Sequence, residues 1–142
     1  MRRILLVENQ VDLQEEICDV LRYEGFEVEA TGDFQSACTA LDRHRIDLVL
    51  CSMLMPEQQG MKLLELMRSK PIYNGIPFIF LTGVVQIDVL REAMDAGADD
   101  YLLKPIRSKD LISAIQARLK RADALRNVGY EQLVQQRQVL LH

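Results

Sequence analysis

The sequence has no tryptophan, few cysteines and no apolar run long enough to cross a bilayer. Its three cysteines, Cys18, Cys38 and Cys51, are odd in number and far apart, and no C-x-x-C pair occurs. They therefore indicate neither a zinc site nor a redox motif. The first apolar run, residues 4–7, is too short for a signal peptide or a membrane span. We expect free thiols in a reducing cytoplasm and no contact with a membrane.

The chain also lacks an excess of basic residues. It has 142 residues and a formal net charge of −4, whereas surfaces that bind nucleic acid or anionic membranes need a basic patch. A chain of this length is long enough to bury a core as a single domain. We therefore expect one globular domain that does not bind nucleic acid itself.

Short apolar runs alternate with helical patterns along the chain. The runs predict five strands, at residues 4–7, 26–30, 46–51, 78–81 and 101–103. Each is followed by an amphipathic stretch, and the predicted apolar faces include Leu13 and Ile17, Phe34 and Ala37, Leu63 and Met67, Ile87, Leu90 and Met94, and Leu111 and Ile115. This order predicts a parallel sheet with helices on both faces and right-handed crossovers.

Polar residues mark the expected beginnings and ends of these helices. Asp12, with Glu15 three residues later, is the predicted N-cap of the first helix, and Gly25 is its stop signal. Asp33 and Ser108 are expected to open the second and fifth helices in the same way.

The pattern changes after about residue 121. Residues 122–142 predict a continuing or second helix that could carry a narrow apolar seam for self-association. The seam is weak, because polar residues interrupt it and Gly129 disfavours the helix. Its apolar members are Leu125, Val128 and Val139, and the interruptions are Gln132 and Gln135.

Ligands of open parallel sheets bind beyond the carboxyl ends of the strands, at the switch point in strand order. Functional side chains are therefore expected just after strands one, three, four and five. One carboxylate, one amide, two hydroxyls and one lysine occupy those positions: Glu8, Asn9, Ser52, Thr82 and Lys104.

These residues and their surroundings resemble the receiver domain of response regulators in two-component signalling. The matching stretches are residues 4–8, Met55-Pro56, Gly60, residues 78–82 and residues 97–105. The resemblance covers residues 1–121 and leaves 122–142 as a helical tail or linker. It implies a flavodoxin-like, doubly wound five-stranded parallel sheet in the order 2-1-3-4-5, with a C-terminal helical extension.

The resemblance also implies roles for the strand-end residues. In the family, an acidic pair after strand one and an aspartate ending strand three hold magnesium, and that aspartate accepts a phosphoryl group from a histidine kinase. Glu8 and Asn9 stand at the acidic pair, and Ser52 stands at the acceptor position. Two of the acidic residues are therefore replaced by neutral ones.

Three further family positions are unchanged, whereas Gln59 stands before the motif glycine, where the family often has aspartate, which should only loosen the loop slightly. Thr82 and Lys104 stand where the family contacts the phosphoryl oxygens, and Tyr101 fills the aromatic switch position. Pro105 is implied to follow a cis peptide bond.

The two replacements fall on the centre of the family's chemistry. Magnesium is usually held through one or two carboxylates, and a serine hydroxyl is a weak nucleophile without a positioned base. We therefore expect no bound metal or cofactor, no catalytic residue and no enzymatic activity.

The main hypothesis is a receiver-type module of a two-component or phosphorelay pathway that acts by protein–protein interaction without aspartyl phosphorylation. Its expected partner is a histidine kinase or another signalling domain. A homodimer could form through the face made by helix four, strand five and helix five, or through the C-terminal helix.

Three alternatives remain open at this point. Thr82 and Lys104 could form a weak site for an anion or a nucleotide, or Ser52 could support unusual chemistry of its own. A different carboxylate could also serve as the acceptor, but Asp47 lies at the wrong end of strand three and Glu57 lies beyond Pro56.

Overall fold

The protein is represented by a computed structural model that describes residues 1–83 and 86–141, with the backbone alone for residues 130–141. Strands and helices alternate along the chain. The strands are β1 (Arg3–Val7), β2 (Glu27–Thr31), β3 (Leu48–Ser52), β4 (Phe78–Thr82) and β5 (Asp100–Leu103). The helices are α1 (Val11–Tyr23), α2 (Phe34–Arg43), α3 (Gln59–Ser69), α4 (Ile87–Asp95) and α5 (Ser108–Leu141), and a short 3-10 turn, Pro56–Gln58, precedes α3.

The five strands form one parallel sheet in the order β2-β1-β3-β4-β5, which confirms the predicted fold. The chain winds outward from β1 in both directions, so the strand order reverses between β1 and β3. The register places Val7 opposite Cys51 and Ser52 opposite Leu81. The residues that follow β1 and end β3 therefore lie at the same carboxyl edge.

The core has two layers because helices cover both faces of the sheet. Alternate strand residues such as Leu5 and Phe80 pack with α2, α3 and α4 on one face. Their neighbours Ile4 and Ile79 pack with α1 and α5 on the other face. Every residue of β3 and β4 is buried, which explains why their sequences are continuous apolar runs rather than alternating ones.

Several predicted boundaries and faces are wrong in detail. The N-cap of α1 is Gln10. Asp12 lies inside the first turn, where a carboxylate interacts favourably with the helix dipole. Strand β3 begins at Leu48 rather than at residue 46, and the Asp47 carboxylate just before it accepts a hydrogen bond from the Arg3 backbone N–H at 2.8 Å.

Helix α4 also differs from its predicted apolar face. Ile87 is 70% exposed and Met94 is 40% exposed, whereas Leu90 is buried together with Ala93. The helix has nine residues, and Val89 also packs against the core from a partly buried position. Its two outer apolar side chains therefore contribute to the protein surface.

Helix α5 runs without a break from Ser108 to Leu141. Leu119 is its last buried residue with a described side chain, and Leu125 and Val128 beyond it are 62% and 51% exposed. The other seam positions, Gln132, Gln135 and Val139, lie outside the residues whose side chains are described. None of the helices in the described part of the chain is long and apolar enough to span a membrane.

Candidate functional site

Four of the predicted site residues meet at the carboxyl edge of the sheet. Glu8 follows β1, Ser52 ends β3 and Thr82 ends β4, and these residues are 1%, 1% and 0% exposed. Lys104 follows β5, and its backbone N–H donates to the Thr82 carbonyl at 2.8 Å. The parallel register, rather than proximity in sequence, brings these side chains together.

The Lys104 ammonium connects two of these side chains. Its Nζ atom donates to Glu8 Oε1 at 2.9 Å and to Ser52 Oγ at 3.2 Å. The Lys104 side chain is 24% exposed, whereas the Glu8 side chain is 1% exposed. The centre of the site is therefore a partly buried ion pair with the serine hydroxyl beside it.

The loop after β1 satisfies the remaining polar atoms of Glu8. Glu8 Oε2 accepts a long hydrogen bond of 3.3 Å from the Gln10 backbone N–H. The Gln14 side-chain amide donates to the carbonyls of Glu8 at 2.9 Å and Thr31 at 3.0 Å, which ties β1 to β2. Asn9, the second position of the family's acidic pair, is exposed to solvent.

The start of α3 packs closely against the acceptor position at Ser52. A Cβ atom on Gly60 would lie 2.6 Å from the Ser52 carbonyl oxygen and 3.3 Å from the Phe80 ring. Glycine therefore lets the start of α3 approach the end of β3. The neighbouring Cys51 thiol is fully buried, and burial, followed by the nearby Glu8 charge, raises its pKa well above the ordinary range.

The other two family positions lie on β5 and directly after Lys104. Tyr101 is 37% exposed on β5. The Lys104–Pro105 peptide bond is cis, as the resemblance implies. Asp47 lies at the opposite edge of the sheet, where it binds the Arg3 backbone and pairs with Arg2 at 3.7 Å.

The donor set does not fit the magnesium ion that the resemblance implies. Magnesium needs several oxygen ligands in near-octahedral geometry, and here one carboxylate oxygen is bonded to an ammonium group. Among the described residues, no group of three or more histidine, cysteine or acidic side chains could hold a metal ion. The ammonium lies where it would repel a cation near Glu8.

The sequence reasoning missed two structural residues, one beside the site and one at the opposite edge of the sheet. Gln59, expected only to loosen the loop, accepts a hydrogen bond from the Phe34 backbone N–H at 2.8 Å through Oε1. It therefore joins the start of α3 to the start of α2. Its position next to Gly60 in the family motif was the available signal.

Arg68 is the second missed residue. Its guanidinium donates to the carbonyls of Gly97, Asn74 and Ile76 at 2.8, 3.1 and 2.9 Å and pairs with Asp99 at 3.0 Å. Burial lowers the pKa of Arg68, and the Asp99 charge opposes that effect. The only signal in the sequence is Asp99 within the motif at residues 97–105.

Comparison with protein families and relatives agrees with this architecture. The family model described as response regulator receiver domain matches residues 4–116. The DNA-binding response regulator MtrA of Mycobacterium tuberculosis is 37% identical over 123 residues, which are 86% of this chain and 52% of that protein. The phosphate regulon transcriptional regulatory protein PhoB of Escherichia coli is 31% identical over 120 residues, 84% of this chain and 52% of that protein.

A solved structure shows the same fold. The crystal structure of a CheY-like response regulator receiver domain from Methanospirillum hungatei superposes with a TM-score of 0.81 at 26% identity, and it covers 87% of this chain and 98% of that one. The present chain spans about half the length of the relatives MtrA and PhoB.

Proposed function

Since the chain belongs to the response regulator receiver domain family, we propose that it is a receiver that signals through protein contacts without aspartyl phosphorylation. The observation that carries the proposal is the acceptor position itself. Ser52 ends β3 there, and its hydroxyl receives a hydrogen bond from Lys104 at 3.2 Å. A carboxylate nucleophile is absent from that position.

Ser52 is also poorly placed to act as a nucleophile of its own. A hydroxyl needs a base that takes its proton, and the Lys104 ammonium instead donates a hydrogen bond to it. The Glu8 carboxylate is engaged by the Lys104 ammonium at 2.9 Å. In this proposal Ser52 only occupies space in the pocket and accepts a hydrogen bond from Lys104. The chain is then not an enzyme.

The same contact argues against an anion or nucleotide site. A phosphate would need Thr82 and Lys104 as donors, but Glu8 already neutralises the Lys104 charge inside the pocket. An added anion would have to displace a buried carboxylate from its partner, which is unfavourable. The pocket is closed to anions unless that pair opens.

The proposed partner is a histidine kinase or another signalling domain, and the proposed contact surface is the face made by α4, β5 and α5. Ile87, Tyr101 and Leu103 give this face exposed apolar area. Asp100 and Arg118 lie on it as an ion pair at 3.5 Å. Mixed charges around apolar side chains suit self-pairing about a two-fold axis, so the same face is a candidate for a homodimer.

The DNA-binding activity named for MtrA stays a property of that protein. The full chain of 142 residues has a net charge of −4 and is proposed not to bind nucleic acid. Any regulator of which this chain is a receiver would read DNA through other residues.

Phosphotransfer to the protein tests the main proposal. The native chain and the Asn9→Asp/Ser52→Asp double variant would be incubated with Mg²⁺ and a small acyl phosphate donor, and intact masses would be compared. We expect no phosphoryl adduct on the native chain and a labile adduct on the double variant. An adduct on the native chain would refute the proposal, and its loss in Ser52→Ala would assign it to Ser52.

Beryllofluoride binding provides an independent test, since this phosphoryl mimic needs an aspartate oxygen. NMR signals around Glu8, Ser52 and Lys104 should not change when it is added with Mg²⁺ at millimolar concentration. Saturable shifts confined to these residues in the native chain would contradict the proposal.

A further inference from the structure

The Lys104 side chain fills the position between the buried Glu8 carboxylate and the Ser52 hydroxyl. Nζ is 2.9 Å from Glu8 Oε1 and 3.2 Å from Ser52 Oγ. We propose that this ammonium is the permanent cation of the pocket, taking the place of a bound metal ion. The inference rests on the proposed loss of the acceptor carboxylate, because a second carboxylate would again leave an excess of negative charge.

The charges of the pocket balance without an added ion. Glu8 contributes one negative charge and Lys104 one positive charge. Ser52 and Asn9 contribute none, and burial keeps the Cys51 thiol neutral by raising its pKa. A divalent cation would therefore enter a neutral site in which the Glu8 carboxylate is already paired.

The geometry of Glu8 shows why a cation is needed at all. Its side chain is 1% exposed, and an ionised carboxylate that is buried without a partner is strongly unfavourable. Oε1 binds the ammonium and Oε2 accepts the long bond from the Gln10 N–H. One ammonium group and one backbone group thus engage both carboxylate oxygens.

The Lys104 ammonium also connects the ends of three strands. Lys104 follows β5 directly and precedes the cis peptide bond at Pro105. Its contacts with Glu8 and Ser52 tie the end of β5 to the ends of β1 and β3. Because the ammonium belongs to a side chain of the protein and cannot dissociate, the shape of the site should not depend on the concentration of divalent ions.

Removal of the ammonium should reveal a cation site. In Lys104→Met the Glu8 carboxylate loses its partner, and a nearby like charge no longer repels a metal ion. Since a charge at this distance changes an ionic equilibrium by roughly ten- to a thousand-fold, the affinity for Mn²⁺ should rise by a similar factor. Lys62→Met is the matched control, because Lys62 is exposed and carries the same charge.

The experiment is a titration with Mn²⁺ followed by broadening of backbone amide signals. We expect saturable broadening at Glu8 and Ser52 in Lys104→Met, and none in the native chain or in Lys62→Met. Equal binding by the native chain and Lys104→Met would overturn the inference. So would the absence of binding by a folded Lys104→Met, because the pocket would then have no need of a cation.

A second measurement uses the native chain and does not depend on the variant folding. The side-chain ammonium signal of Lys104 should be slowly exchanging and should keep its position when millimolar Mg²⁺ is added. Displacement of that signal by Mg²⁺ would overturn the inference. Phosphorylation of the native chain would instead overturn the proposed function, and the two failures are distinguishable because Mn²⁺ and Mg²⁺ are added here without a phosphoryl donor.

Discussion

Lys104 Nζ lies 2.9 Å from Glu8 Oε1, and the two partners differ in their access to water. The Glu8 side chain is 1% exposed, whereas the Lys104 side chain is 24% exposed. A lysine that loses its partner can turn its ammonium toward solvent. A carboxylate at the buried end of β1 has no comparable movement, so the two halves of this pair should not be equally sensitive to mutation.

The first prediction is an asymmetry between two substitutions. Lys104→Met in the presence of a chelator should cost about 3–5 kcal/mol in the free energy of unfolding, because it leaves a buried charge without a partner. Glu8→Gln should cost only about 1–3 kcal/mol, the range for an unsatisfied polar group. Urea unfolding monitored by circular dichroism measures both values.

The double variant Glu8→Met/Lys104→Met is the control for this interpretation. It removes both charges together and should be more stable than Lys104→Met alone, because buried ion pairs can often be replaced by apolar residues. The single variant Glu8→Met completes the comparison, and costs of Glu8→Met and Lys104→Met that add up to the cost of the double variant would show that the pair is not coupled.

The second prediction concerns Arg68, which joins the end of α3 to the loops before β4 and β5. Arg68→Ala should destabilise the protein by about 1.5–3 kcal/mol, the range for hydrogen bonds that involve a charged group. Arg68→Lys should recover little, because one ammonium cannot reproduce the guanidinium contacts with both Gly97 and Asp99. Thermal and urea unfolding both report the difference.

Arg91 offers the matched control for Arg68. It is exposed on α4, so Arg91→Ala removes the same group and should change stability by less than about 0.5 kcal/mol. If Arg68→Ala and Arg91→Ala cost the same, the contacts of Arg68 do not contribute to stability.

These residues show what the sequence could and could not predict. The strands were readable because continuous apolar runs identify a sheet buried on both faces, and Ser52 was found because it ends such a run. Arg68 was not predictable, because its acceptors include backbone carbonyls such as that of Gly97, 29 positions away. Carbonyl groups carry no residue-specific signal, so such contacts appear only once the fold is known.

The predictions of a helix boundary and of a buried helix face were wrong for a related reason. Asp12 is the predicted N-cap of α1 because of its side chain. The helix instead begins after Gln10, only two residues after Glu8. Met94 was placed in the core by helical spacing, although α4 packs through Leu90 and Ala93. Periodicity identifies a helix but does not show how much of its apolar face the neighbouring elements cover.

The third prediction concerns the close approach of α3 to β3. Gly60→Ala would place a Cβ atom 2.6 Å from the Ser52 carbonyl oxygen, so one backbone segment must move. We expect a loss of about 1–3 kcal/mol, as for other overpacked sites, and a shift of the Ser52 amide signal. Gly75→Ala is the control, since no atom lies within 4 Å of its Cβ position. Equal effects of the two substitutions would rule out the steric explanation.

The fourth prediction is an order of thiol reactivity. Burial raises the pKa of Cys18, Cys38 and Cys51, and Cys51 is the most deeply buried. At mildly alkaline pH a chromogenic disulfide reagent should therefore modify Cys38 first and Cys51 last, because the thiolate is the reactive form. Fast modification of Cys51 in the folded protein would show that its surroundings open readily.

The raised pKa of Cys51 also sets the sign of a pH effect on stability. The unfolded thiol ionises at its ordinary pKa of about 8.5, whereas the folded thiol stays neutral to higher pH. Its contribution is therefore fully present below that pH and is lost as the pH rises toward the folded value. The fall in unfolding free energy at alkaline pH should be shallower in Cys51→Ala than in the native chain. Equal slopes would show that Cys51 is not responsible.

The fifth prediction concerns the part of α5 that extends beyond the core. Leu125 and Val128 are 62% and 51% exposed on it, and the helix continues for twenty residues after Arg121, about 30 Å at 1.5 Å per residue. A helix that exposes such apolar side chains gains stability from a packing partner. We therefore expect a weak parallel dimer in which the tails of two copies pack together.

Light scattering over a concentration series separates the two possible dimer surfaces. The full chain would be compared with a truncation that ends at Arg121, which keeps the face made by α4, β5 and α5. A dimer that is lost on truncation would support the tail, because Leu119 is the last buried residue of α5 with a described side chain and remains present. Dimers of both proteins would assign association to the face that carries Ile87 and Tyr101 instead. If both are monomers at high micromolar concentration, the exposed side chains of Leu125 and Val128 do not drive self-association.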